Sequence, residues 1–98
     1  MLVVIAKLMV KPEKKAELFS LAQPLIAATR AEQGCISYTL LDDRNDPNAC
    51  FFLEEWIDKA ALEQHLNTAH ICEWHKKSAD LLAGKMDLKL FQAEAVKL

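Results

Sequence analysis

Apolar residues crowd the first ten positions on both parities: Leu2, Val4, Ala6, Leu8 and Val10 interleave with Val3, Ile5 and Met9, and only Lys7 interrupts them. This β-branched and aliphatic run, ending at Lys11-Pro12, predicts a strand over Leu2–Val10 that is greasy on both faces. From Glu13 to Glu32 the period becomes helical. Leu18, Leu21, Leu25 and Ala28 recur three or four positions apart, with Phe19, Ala22 and Ile26 widening the stripe. Pro24 lies inside this helix and should bend or loosen the turn from Ser20 to Pro24. Gly34 is placed to end the helix as a left-handed cap.

Two further strands are predicted, Cys35–Asp42 and Ala49–Ile57, joined by the polar turn cluster Asp43-Arg44-Asn45-Asp46-Pro47-Asn48. Asp58 is a cap for a short helix reaching about Asn67. Thr68 caps another that runs to Ala83 and stops at Gly84. Lys85–Ala95 is a last strand. The order β-α-β-β-α-β, with its second helix broken in two, is the α+β ferredoxin-like arrangement in a single domain, residues 1–98. An antiparallel sheet with helices on one face leaves its other face to be covered. The doubly apolar first strand therefore predicts a homodimer formed through the sheet.

Composition narrows the partners. The formal net charge is −2 with both signs interspersed, which gives no footprint for nucleic acid or an anionic membrane. Cys35, Cys50 and Cys72 are odd in number and lack paired spacing, so neither a disulfide framework nor a zinc module is indicated and a reducing, cytoplasmic setting is expected. The N-terminal run has no basic leader and is too short for a bilayer span. With Gly 2 in the whole chain, no phosphate-cradling loop or dinucleotide fingerprint exists.

The residues able to carry chemistry gather in the middle of the chain. His65 follows Ala61 by four and Leu62 by three, so it lies beside the apolar stripe of its helix. Burial there lowers an imidazole pKa and keeps the ring neutral, able to accept a proton near pH 7. The same position also suits a structural histidine bonded to a carboxylate or carbonyl. Glu54 shares a strand face with Phe52 and Trp56. If the hairpin is symmetric about Asp46, Tyr38 sits opposite Glu54, Ile36 opposite Trp56 and Leu40 opposite Phe52. A half-buried glutamate needs a partner, and Tyr38, His65 or Arg30 could serve. Alternatively Glu54 forms a salt bridge at a surface or dimer edge.

His70-x-Cys72-x-x-His75 resembles a metal motif, but helical positions 70 and 72 point about 200° apart, and Cys72 with His75 is too few ligands. No metal is expected. Cys35 reads as a small core residue, and Lys7 either reaches a pocket or snorkels at the rim.

Three segments together, Arg30-Ala31-Glu32-Gln33-Gly34-Cys35-Ile36-Ser37-Tyr38, Glu54-Glu55-Trp56-Ile57-Asp58 and Ala61-Leu62-Glu63-Gln64-His65-Leu66-Asn67-Thr68-Ala69-His70, carry a resemblance. They match R-x-E-x-G-C-x-x-Y, E-x-W-x-D and A-L-x-x-H-x-x-T-x-H of the antibiotic-biosynthesis-type, quinol-monooxygenase-like proteins. The resemblance implies a dimeric α/β barrel and a monooxygenase needing no cofactor, which oxidises a small electron-rich aromatic such as a quinol or polyphenol with O2. It implies His65 as base or proton shuttle, Glu54 or Tyr38 as its orienting group, and Phe52, Trp56 and Phe91 as pocket walls. His70 and Lys7 are further candidate substrate contacts. Haem-degrading relatives of the fold place a ligating histidine ten residues after a tryptophan. Here His75 follows His65 at that spacing, and the first strand offers Lys7 in place of their asparagine, so the likeness does not extend to haem. Two other readings stay open: isomerisation or processing of a small phosphorylated signalling metabolite, and a non-catalytic ligand-binding or stress-response dimer.

Overall fold

The computed structural model describes residues 1–98. Its elements run β1 (Leu2–Met9), α1 (Lys15–Arg30), β2 (Cys35–Asp42), β3 (Ala49–Trp56), α2 (Lys59–His65), α3 (Ala69–Ser78), a 3-10 turn (Ala79–Leu81) and β4 (Asp87–Gln92). The four strands form one antiparallel sheet in the order β2-β3-β1-β4, the ferredoxin-like topology that the pattern predicts. Helices α1 and α3 cover one face. Val4, Ala6, Leu8 and Phe52 on that face meet Leu18, Ala22, Leu25, Ile26, Ile71 and Trp74 in one buried cluster. No helix is long and apolar enough to cross a membrane.

Strand β1 alternates buried and half-buried along its whole length, so the helix side is sealed while Val3, Ile5 and Met9 keep partial exposure. Ile36, Leu41, Leu53 and Phe91 are exposed large apolar residues, and Leu53 and Phe91 lie across from Ile5 and Val3 on this second face.

Several boundaries differ from the sequence pattern, each for a local reason. Val10 leaves β1 and makes an isolated bridge to Leu82. Helix α1 starts at Lys15, because Glu13 adopts φ 66, a left-handed conformation incompatible with a helical turn. At its other end Ala31 remains right-handed, and the Ala31 and Glu32 amides bond back to Ala28 and Thr29. Gly34 is therefore no left-handed cap. It is required by close approach, since a Cβ there would overlap the Ala61 methyl of α2. Helix α3 stops at Ser78, tightens into the 3-10 turn, and reaches Gly84, whose φ of 112 does need glycine. β3 ends one residue early at Trp56, and β4 covers a shorter stretch than expected.

Pro24 sits within α1 without ending it. Both Pro24 and Ser20 are exposed, so solvent can reach the Ser20 carbonyl that loses its helical hydrogen bond because proline has no N–H. Replacing Pro24 by alanine is expected to raise the unfolding free energy by about 1–3 kcal/mol. Urea denaturation of the two proteins measures it, and equal midpoints would mean that the turn carries no helical penalty.

Candidate functional site

A cavity of about 360 Å³ lies between the helix-covered face of the sheet and α2–α3. Its wall is mostly aliphatic and aromatic, from Val4, Ala6, Leu8, Phe52, Leu62 and Trp74, with polar groups supplied by Tyr38, Glu54, His65, His75 and Ser78. No lysine or arginine lines it.

The hairpin register delivers two of these polar groups. Tyr38 pairs with Glu54 and Leu40 with Phe52, as the symmetric turn requires. Ile36 does not face Trp56. The register shifts between Cys35 and Ser37, Cys35 takes the place opposite Trp56, and Ile36 is left 51% exposed. The bulge keeps Tyr38, Glu54 and Trp56 on the inner face. Tyr38 packs at 5.0 Å between ring centroids from Phe52 and 5.5 Å from His65, and Trp56 lies 4.8 Å from His65.

Helix α2 presents His65. Asp58 accepts the Ala61 amide at 2.9 Å as its N-cap, and Ala61, Leu62 and His65 form the buried face. His65 is 2% exposed. Its Nδ1 lies 2.6 Å from Glu32 Oε2, in the turn after α1, and the same oxygen lies 2.8 Å from His70 Nε2 on α3. An ionised carboxylate only accepts, so both ring nitrogens are donors here and the His65 tautomer is Nδ1–H. His65 Nε2 makes no hydrogen bond to the protein, and the ring is among the groups that line the cavity, which leaves Nε2 as the nitrogen free to meet a bound molecule. Burial holds the His65 pKa below its ordinary value, against the opposing pull of the Glu32 bond. A neutral, oriented imidazole results.

Glu54 is not the group that orients His65, and neither is Tyr38. Glu54 Oε1 instead accepts the indole N–H of Trp56 at 2.9 Å, and Arg30 Nε donates to the Tyr38 carbonyl rather than to a carboxylate. Burial, with the Glu32 charge adding to it, pushes the Glu54 carboxyl up to about 7 against the Trp56 bond. Burial likewise drives the Tyr38 phenol upward, with the charges of Glu54 and Glu32 contributing. Tyr38 is a hydrogen-bonding phenol, not a phenolate. The Cys35 thiol is raised by burial and by Glu32, which suits a core position.

Four sequence candidates, Lys7, Phe91, His70 and Trp56, lie outside the cavity lining. Lys7 pairs across from Phe51 and Asp87, on the sheet face away from the helices, with its ammonium 5.8 Å from the Phe51 ring. Phe91 is opposite Val3 on that face and 47% exposed. Strand alternation keeps both out of the cavity. His70 lines a groove between α1 and α3 instead, while Phe52 forms cavity wall and Trp56 backs His65. The group that periodicity missed is Glu32. It falls in an irregular turn, and only its place in the R-x-E-x-G segment marked it.

The raised Glu54 pKa has a measurable sign. Since the folded value, about 7, exceeds the ordinary 4.5, stability falls as pH rises through that window. The full cost above it is on the order of 3 kcal/mol. Glu54→Gln keeps an acceptor for Trp56 and removes the charge, so it should be more stable than the parent at about pH 8 and equal to it at about pH 4. Any opposite slope from His65, which loses stability as pH falls through its ordinary 6.5, cancels in the comparison. Parallel stability profiles for the two proteins would contradict the assigned environment of Glu54.

Residues 1–77 match the family model for antibiotic biosynthesis monooxygenase. A Synechocystis protein, sll1783, is 40% identical over 91 residues, covering 93% of this chain, and the chain spans only 62% of that relative's length. YcnE of Bacillus subtilis, which carries a provisional monooxygenase name, is 39% identical over 88 residues, 90% of this chain and 93% of its own. A crystal structure of an antibiotic biosynthesis monooxygenase superposes with a TM-score of 0.88 at 34% identity, covering 97% of this chain and 100% of that one. The ferredoxin-like sheet, the family match and these relatives agree, and the chain belongs to the antibiotic biosynthesis monooxygenase family.

Proposed function

We propose that the chain is a cofactor-independent monooxygenase that oxidises a small electron-rich aromatic, of the quinol or polyphenol class, with O2. The observation that carries this reading is the His65 imidazole, which lines an apolar cavity with its Nδ1 held by Glu32 and its Nε2 without a protein partner. A neutral quinol fits that wall by its ring and can reach Tyr38, Glu54 or Ser78 by its oxygens. His65 Nε2 takes the phenolic proton. The resulting phenolate is electron-rich enough to pass one electron to O2, giving a semiquinone and superoxide. Their coupling forms a C–O bond, and the peroxide anion recovers the proton from His65. Loss of water then leaves a hydroxyquinone, so quinol and O2 yield hydroxyquinone and H2O with atoms and electrons balanced. The apolar lining supports the step by lowering the local polarity, and Glu54, its pKa raised to about 7, can in its protonated form donate a hydrogen bond without repelling the anion.

The same lining argues against a phosphorylated substrate, because no cation is there to meet a phosphate. We also propose that the exposed apolar residues of the outer sheet face, Leu53 and Phe91 among them, are covered by a second copy to make the dimeric barrel. A two-fold dimer burying on the order of 1,500 Å² in total is expected by light scattering at micromolar concentration. A stable monomer there would refute it.

His65→Ala should reduce quinol-dependent oxygen uptake by roughly 10²–10⁴-fold, with partial recovery on adding imidazole. Because the ring is buried, the variant should also lose about 1–3 kcal/mol of stability. Oxygen uptake and melting temperature are read on one preparation. Undiminished turnover in a folded variant, or no turnover of any quinol by the parent, would end the proposal in favour of a non-catalytic binding role.

A further inference from the structure

On the side of His65 away from the cavity, three donor atoms converge. His65 Nδ1, Glu32 Oε2 and His70 Nε2 all lie within 4.8 Å of one another. They come from three different segments: the end of α2, the turn after α1, and the first turn of α3. His65 is buried, whereas Glu32 and His70 are partly exposed. His70 also lines a groove of about 200 Å³ between α1 and α3, together with Ser20, Pro24, Glu73 and Lys77. The Lys77 ammonium there is paired with Glu73 at 2.8 Å. Glu32 and His70 are partly exposed and absent from the cavity lining, so the cluster is reachable from solvent without passing through the apolar cavity.

We propose that Glu32, His65 and His70 form a binding site for a divalent ion of the zinc class, open to solvent at Glu32 and His70, whose occupation switches off His65 as a base. Two imidazoles and one carboxylate are an accepted donor set for such ions, with water completing the coordination. Zinc sits about 2.0–2.2 Å from such donors, which places tetrahedral neighbours about 3.3 Å apart. The present separations of 2.6 and 2.8 Å are those of proton-bridged pairs, so an ion replaces the two bridging protons and widens each gap slightly. Side-chain torsions of Glu32 and His70, both partly exposed, can supply that movement.

The consequence for His65 follows from imidazole chemistry. A neutral ring that gives Nδ1 to a metal must carry its one proton on Nε2. The Nδ1 proton leaves and an equivalent one is taken up at Nε2, with no net change on the ring. His70 makes the converse exchange, freeing Nε2 and protonating Nδ1. The cavity lining contains His65 but neither Glu32 nor His70, so the ion does not touch a cavity-bound molecule. It acts only by converting the Nε2 acceptor into a donor. The blocking of catalysis rests on the quinol reading above, whereas the ion site does not.

Calorimetric titration of the metal-free chain with Zn2+ in a non-coordinating buffer, repeated with Co2+ by visible absorption, tests the site. One ion per chain with micromolar or tighter affinity is expected, weakened by about tenfold or more in His70→Ala and in Glu32→Gln. Circular dichroism confirms that each variant is folded. Exposed Cys72 is the competing ligand, and Cys72→Ser should bind like the parent. No saturable binding, equal affinity in His70→Ala, or loss in Cys72→Ser would each overturn the proposal. Nitrogen-15 spectra of the zinc-loaded chain should show the His65 proton on Nε2, and a proton retained on Nδ1 would overturn the switch. Zinc should also suppress quinol-dependent oxygen uptake, reversibly on chelation, and unchanged uptake at saturating zinc counts equally against the switch. If the metal-free chain turns over no quinol, the catalytic reading fails while the titration and the spectra still decide the ion site.

Discussion

One carboxylate oxygen joins three segments of the chain through their side chains. Glu32 Oε2 bonds the imidazoles of His65 and His70, and so ties the turn after α1 to α2 and to α3 at one point. A buried ring such as His65 cannot stay without a partner except at a cost of about 1–3 kcal/mol. The break between α2 and α3 is what allows the shared contact. On one continuous helix, positions 65 and 70 would point about 140° apart. Thr68 makes the break: its hydroxyl donates to the His65 carbonyl at 2.7 Å and also caps α3 by accepting the Ile71 amide. A helix-capping residue thus sets the geometry of a pair of histidines without touching either ring.

The fold was legible because most of its information is periodic or compositional. The Leu18–Ala28 stripe and the capped segment after Asp58 repeat a helical spacing, and the β1 run declares itself by its β-branched and aliphatic composition and its stop before Pro12. Boundaries were less so, because they turn on single dihedral angles such as the left-handed Glu13, which no apolar pattern records. The register of the β2–β3 hairpin could be placed from its turn for Tyr38 and Leu40, yet the bulge at Ile36 could not, since it depends on how the chain leaves Gly34. Of the site, His65 and Glu54 were visible as polar residues on apolar faces. Glu32 was not, because a turn has no face, and its role appears only when α2 is laid over it. Lys7 and Phe91 fail as pocket residues for the opposite reason. With both parities of β1 apolar, sequence alone could not say which face the helices would cover.

Glu54 shows the same economy from another side. Its environment is unfavourable to a charge, and the single indole N–H of Trp56 does not restore what burial removes. A buried carboxyl at this position weakens the fold at alkaline pH. An isosteric amide would not, and what the acid retains is a proton that can be given or kept near neutrality.

The close approach of Gly34 to Ala61 gives the site its ruler. No side-chain atom separates the turn from α2 at that point, and the Gly34 carbonyl also accepts the Ile57 amide at 2.9 Å just before the helix begins. The distance between the Glu32 turn and the His65 helix is therefore set by bare backbone against one methyl group. Positions 34 and 61 behave as a single shared volume: a methyl added to one must be removed from the other, or α2 rides outward and carries His65 off its carboxylate. Drift in packing and drift in chemistry are inseparable at this pair, although neither residue has a functional group.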